Sequence, residues 1–131
     1  MLAKITIADY MTKNIMTLKE DADVLATIKQ LLNHKITCAP VLDPAGKLVG
    51  MFSEKDSMKV VLDASYNQGM SGIVSDFMNH NIISVEARSS IVDLADKFQD
   101  SSVRSFPVFD NNKLVGIVSR TDVLRALVSM K

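Results

Sequence analysis

The chain repeats itself. Asp9, Met11, Asn14 and Ile15 return as Asp76, Met78, Asn81 and Ile82, each 67 positions on, and Pro40, Val41 and Asp43 return as Pro107, Val108 and Asp110 at the same offset. One residue is then lost from a turn. After it Lys47-Leu48-Val49-Gly50 returns as Lys113-Leu114-Val115-Gly116, and Ser53 and Asp56 return as Ser119 and Asp122, 66 positions on. A repeat held in register over most of a chain means two copies of one structural unit. Each copy has only about 60 residues, a size that folds alone marginally, so the two are expected to share a core. Two like units packed together create two related clefts, and function is expected there.

Both copies show the same order of signals. A short helical stretch comes first: Thr6-Ile7-Ala8-Asp9 has capping-box spacing, and Asp76-Phe77-Met78 stands in the matching place. Short apolar runs follow, Ile15-Met16-Thr17-Leu18 and Ile82-Ile83-Ser84-Val85, which read as strands. A helix is next in each copy. Asp21 or Asp23 can cap the first, with Val24, Ile28, Leu31 and Leu32 on one face; Ser89 or Ser90 can cap the second, with Ile91, Leu94, Ala95 and Phe98 on one face. A strand pair then flanks Asp43-Pro44-Ala45-Gly46-Lys47 in one copy and the shorter Asp110-Asn111-Asn112-Lys113 in the other. The deletion falls in this loop, where length changes are tolerated best. A last helix closes each unit, from about Lys55 to Leu62 and from about Thr121 to the end. The expected class is α/β (α+β), with residues 1–63 as repeat one, 64–72 as linker and 73–131 as repeat two.

Composition narrows the function. With 15 basic and 15 acidic residues the net charge is zero, which argues against broad electrostatic binding to nucleic acid or an anionic membrane. Cys38 is the single cysteine, so no internal disulfide forms, which fits a reducing, cytoplasmic setting. Its run Ile36-Thr37-Cys38-Ala39-Pro40 reads as the edge of a core, and a buried structural thiol is favoured over a nucleophile. His34 and His80 stand apart, no metal-ligand spacing occurs, and no signal peptide or membrane span is expected. Catalysis needs a nucleophile–base pair or a metal constellation, so no catalytic residue is assigned.

One phrase carries chemistry. Gly50-Met51-Phe52-Ser53-Glu54-Lys55-Asp56 returns as Gly116-Ile117-Val118-Ser119-Arg120-Thr121-Asp122, where a strand ends and a helix begins. Ser-x-x-Asp at a helix start is a capping pattern, and a strand glycine can simply allow close packing. On the tetrad alone, capping is favoured. The same geometry also suits a ligand. A helix N-terminus offers N–H groups and a positive dipole end to a phosphate. A carboxylate one turn in can accept from both ribose hydroxyls, and a glycine lets a ligand approach the strand.

The doubled phrase, with the Pro-Val-x-Asp strand before each copy, resembles a tandem pair of CBS domains, the Bateman module, from about Ile7 to Leu127. The resemblance implies two pseudo-twofold-related β-α-β-β-α repeats packed through their sheets, with adenosine-containing ligands in the clefts between them. AMP, ADP and ATP lead the candidates, with S-adenosylmethionine and NAD after them; no cofactor is required. Carried over, one cleft uses Ser119, Thr121 and Asp122, walled by Met16, Ile36, Thr37 and Ala39. The other uses Ser53, Lys55 and Asp56, with Ile83, Val103, Arg104 and Phe106 around it. Aspartate would hold the ribose and the hydroxyl residues the phosphate. Lys55 departs from the pattern at the place of Thr121; it either reaches phosphate as a point charge or is a solvated helix residue. Arg104 has Thr37 as its counterpart, so the two clefts differ, with Lys55 and Arg104 expected to converge on the Asp56 cleft. The implied function is a regulatory nucleotide sensor acting on a protein partner. The alternative is a dimerising, partner-binding scaffold without ligand. A homodimer is implied, with Val60, Val61, Leu62, Leu124, Leu127 and Val128, and the methionines Met58 and Met130, as candidate contacts; the same side chains could instead fill the core.

Overall fold

The computed structural model describes residues 2–67 and 72–129. The chain divides into two compact units, and they do not follow the two halves of the sequence. One is continuous, Met16–Ile82; the other is split, Met1–Ile15 with Ile83–Lys131. The leading segment of each sequence repeat is thus built into the unit that carries the other repeat's sheet.

In the continuous unit β1 (Leu18–Lys19), β2 (Cys38–Leu42) and β3 (Leu48–Ser53) form one sheet in that order. β1 pairs parallel to β2, Leu18 opposite Val41, and β3 pairs antiparallel, Ala39 opposite Phe52. α1 (Val24–Asn33) makes the crossover and α2 (Glu54–Asn67) follows β3 without a loop. The α1 cap is Asp23, whose carboxylate accepts from Ala26 N–H at 2.9 Å. Val24 and Leu31 are buried beside Ala39, Val41, Phe52 and Val60. Leu32, expected on the inner face, is exposed, and Thr27 is buried in its stead: the i+3 position closes the stripe that i+8 leaves. Thr27 is tolerated there because its hydroxyl donates to the Asp23 carbonyl.

The split unit repeats the plan with β4 (Val85–Glu86), α4 (Ile91–Gln99), β5 (Ser105–Asp110), β6 (Lys113–Ser119) and α5 (Arg120–Val128); α3 (Val74–Phe77) belongs to the continuous unit. Ser90 caps α4 by accepting from Val92 N–H. Ile91, Leu94 and Phe98 point into a core with Phe106, Val108, Val118 and Ala126, while Ala95 stays outside it.

The exchanged leaders are held by matching contacts. In the split unit Ile7 is fully buried in the core, and its N–H donates to the Ser89 carbonyl while Ala8 N–H donates to Ala87. In the continuous unit Val74 takes the same place, with Val74 N–H on the Ala22 carbonyl and Ser75 N–H on Glu20. Each leader then meets the outer strand of its sheet at one bridge. Thr12 and Ile117 exchange backbone hydrogen bonds in one unit, Asn79 and Met51 in the other, which covers part of an otherwise open edge.

Several expected boundaries move. The runs Ile15–Leu18 and Ile82–Val85 are ladder-paired only at their last residue, because they are the stretches where the chain passes from one unit to the other. α2 continues to Asn67 rather than ending near Leu62, so 64–67 are helix; of the rest of the expected linker, 68–71 lie outside the described residues. Val60 is buried in the core, whereas Met58, Val61, Leu62, Leu124, Leu127 and Val128 are exposed. Met130 lies outside the described residues.

Candidate functional site

In each unit the serine–aspartate phrase forms a reciprocal cap. Asp122 Oδ2 accepts from Ser119 N–H at 2.8 Å and from the Ser119 hydroxyl at 3.2 Å, while Asp122 N–H donates to Ser119 Oγ at 3.4 Å. Asp56 and Ser53 repeat the arrangement at 2.9, 2.9 and 3.4 Å. Both carboxylates are buried, Asp56 at 5% exposure and Asp122 at 2%. A carboxylate so withdrawn from water needs compensating partners. Oδ2 has them from the serine; Oδ1 pairs with a basic side chain one turn along the helix. Lys59 Nζ lies 2.9 Å from Asp56 Oδ1, and Arg125 is bonded to Asp122 Oδ1. These two cations were not singled out from the sequence. The signal was present as Asp-x-x-Lys and Asp-x-x-Arg, the i, i+3 spacing that brings opposite charges together on a helix.

Backbone donors at the helix starts are mostly spoken for. Glu54 N–H donates to the Thr37 carbonyl at 2.9 Å and Arg120 N–H to the Arg104 carbonyl at 3.2 Å. The serine N–H goes to the aspartate and the aspartate N–H to the serine. What remains for an anion is the second helical N–H, of Lys55 or Thr121, beside the dipole.

Those two backbone bonds also place the other expected residues. Ile36, Thr37 and Ala39 lie in the continuous unit with Met16, Ser53, Lys55 and Asp56; Ile83, Val103, Arg104 and Phe106 lie in the split unit with Ser119, Thr121 and Asp122. Lys55, Thr121, Thr37 and Arg104 are exposed, as is Ile83. Met16 and Ile36 pack against one core and Val103 against the other. Ala39 and Phe106 are fully buried, and the Phe106 ring stacks on Phe98 at 4.7 Å, so these two side chains are committed to their cores. α1 sets Ile36 in place. Lys35 takes φ +56°, Lys35 N–H donates to Leu32 and Ile36 N–H to Leu31, a left-handed helix stop that turns Ile36 back onto the last turn.

A Cβ on Gly116 would lie 2.6 Å from the Thr12 carbonyl oxygen, and one on Gly50 would lie 2.5 Å from Met78 Sδ and 3.0 Å from the Asn79 carbonyl oxygen. The glycines make room for the exchanged leaders, the close-packing role open to a strand glycine. Cys38 is inert: burial, and secondarily the Asp56 charge, push its thiol up to about 12. Among the described residues no three His, Cys, Asp or Glu side chains group as metal ligands, and no helix is long and apolar enough to cross a membrane.

Known proteins match this geometry. The CBS domain family matches residues 7–63 and 74–129. The uncharacterized protein MJ1225 of Methanocaldococcus jannaschii is 26% identical over 94% of this chain, which spans 43% of that protein's length. The crystal structure of CBSX2, a CBS-pair protein of Arabidopsis thaliana, in complex with AMP is 27% identical, with a TM-score of 0.82 over 95% of this chain and 97% of that one. The CBS domain pair of protein MJ0100, solved with 5′-methylthioadenosine and S-adenosyl-L-methionine, is 25% identical, with a TM-score of 0.82 over 97% and 98%.

Proposed function

This chain belongs to the CBS domain family, and from that premise we propose that it is a regulatory module that binds an adenosine-containing nucleotide. The observation that carries the reading is the buried carboxylate, present in both units, held by serine through Oδ2 and, among the described residues, covered at Oδ1 by an exposed cation. The ligands of CBSX2 and MJ0100 named above share an adenosine ribose, the group whose hydroxyls suit such an acceptor. AMP, ADP and ATP are the leading candidates, with S-adenosylmethionine and NAD behind them. Asp56 and Asp122 receive the ribose. Lys55 and Thr121, at the one open N–H of each helix start, face phosphate. Met16, Ile36, Thr37, Ile83, Val103 and Arg104 supply the remaining contacts. The output is a shift between two conformations of unequal ligand affinity, passed to a protein partner or a second copy of this chain through the exposed α2 and α5 side chains. An unpaired, unreactive cysteine fits a cytoplasmic location.

One observation favours the scaffold reading: both oxygens of each carboxylate already have a partner within the chain, so the cap stands without a ligand. A thermal-shift screen of AMP, ADP, ATP, S-adenosylmethionine and NAD separates the two. A ligand at about 100 times its Kd stabilises by about 2.7 kcal/mol. The sensor reading expects a selective shift that Asp56→Asn and Asp122→Asn together abolish. No shift with any of the five in ligand-free protein leaves the scaffold.

A further inference from the structure

We infer that Lys59 and Arg125 are intramolecular occupants of the oxygen that a ribose must claim, so that nucleotide binding in each unit exchanges a cation for a hydroxyl. The inference rests on the nucleotide reading above and adds the residues that regulate it. Each carboxylate oxygen has two acceptor positions. Oδ2 of Asp122 has both filled, by Ser119 N–H and the Ser119 hydroxyl, and Oδ2 of Asp56 has both filled by Ser53. Oδ1 holds Arg125 or Lys59. A vicinal diol brings two O–H donors, and only one position is open. Two-point recognition therefore requires the cation to leave. The cation can do so at low cost, because the side chains of Lys59 and Arg125 are 53% and 62% exposed, whereas the serine N–H is fixed by the helix start and the serine hydroxyl is held between Oδ2 and the aspartate N–H. The two latches also differ. Lys59 Nζ reaches the Phe77 carbonyl at 3.4 Å, at the end of α3, while Arg125 makes no such second contact among the described residues. Release of Lys59 loosens its hold on the exchanged leader; release of Arg125 does not.

Calorimetric titration of the full chain tests this. AMP and 2′,3′-dideoxy-AMP are the probes. Arg125→Met and Arg125→Lys are read in an Asp56→Asn background and Lys59→Met in an Asp122→Asn background. Loss of the latch is expected to tighten AMP by roughly fivefold, the scale of one ion pair, with Arg125→Lys close to the parent and dideoxy-AMP unmoved. Removing a positive charge would ordinarily weaken a phosphate ligand, so the sign is diagnostic. Unchanged or weaker AMP binding in both Met variants overturns the latch and leaves the nucleotide reading standing. An equal gain for dideoxy-AMP also overturns it. Binding of none of AMP, ADP, ATP, S-adenosylmethionine and NAD by wild type overturns both. Arg125→Gln serves in place of Arg125→Met if the latter unfolds.

Discussion

The continuous unit pairs Asp56 with a lysine that also touches the Phe77 carbonyl, whereas the split unit pairs Asp122 with an arginine that makes no second contact among the described residues. Around them the turns differ as well. Asp43 closes the β2–β3 loop by accepting from Ala45 and Lys47 N–H, with Gly46 at φ +86°, while β5 and β6 are joined by Asn111 and Asn112 at φ +51° and +64°. The second pair is a two-residue hairpin with both central residues left-handed, which is how the chain absorbs its one-residue deletion. The serine–aspartate cap and the glycine beneath each leader are the same in both units. What positions the carboxylate is kept; what covers it and what turns the chain far from it have drifted.

The exchange of leaders is the part of this comparison most open to breaking. Ile7→Ala is expected to cost about 3–4 kcal/mol, the range for a fully buried large-to-small change, and Val74→Ala less, having fewer methylenes to lose. Hydrogen exchange gives the sharper readout. Ile7→Ala should deprotect β5 and β6 before β2 and β3, although Ile7 lies in the first sequence repeat; the opposite order would undo the unit assignment.

Gly116→Ala is expected to cost about 2–3 kcal/mol and Gly50→Ala about 1 kcal/mol, because an added methyl meets a backbone oxygen as its nearest neighbour in the first case and a flexible methionine sulfur in the second. Chemical denaturation of both variants checks the ranking, and equal losses would mean the leaders yield alike. Asp122→Ala follows at about 2 kcal/mol, since it removes a cap and charge-assisted hydrogen bonds along with the ligand contact. Asp122→Asn keeps an acceptor for Ser119 and should lose under half as much, which makes Asn the cleaner binding variant. The smallest effect has the opposite sign. Lys35→Gly should stabilise by up to about 1 kcal/mol, because Lys35 sits at φ +56°, whereas Ser102→Gly, at the matching place without positive φ, should not stabilise.

The repeat made the order of elements, both helix caps and the β2–β3 and β5–β6 pairs legible, since the caps and pairs depend on near neighbours along the chain, no further than Cys38 from Ser53. The exchange was not legible. An offset of 67 states that Ile7 and Val74 are equivalent; it cannot state which sheet receives each, because either sheet offers the same backbone edge. The packing role of the glycines was legible but not the segment they admit: Thr12 O and Met78 Sδ come from the exchanged leaders. At the site, the serine–aspartate cap was legible from its spacing. Lys59 and Arg125 escaped notice because an exposed base on a helix is ordinarily solvated, and only the burial of its partner gives it weight.

Nitrogen-resolved NMR of the full chain, titrated with AMP, tests the central claim most directly. The Ser53 and Ser119 amides donate to the two carboxylates at 2.9 and 2.8 Å, so a ribose engaging either carboxylate must shift the corresponding resonance. The account expects saturable shifts at Ser53 or Ser119, spreading to Lys55 or Thr121, and lost in the matching Asp→Asn variant. Saturable shifts that leave both serines unmoved, or none with AMP or with ADP, ATP, S-adenosylmethionine and NAD in its place, would contradict it.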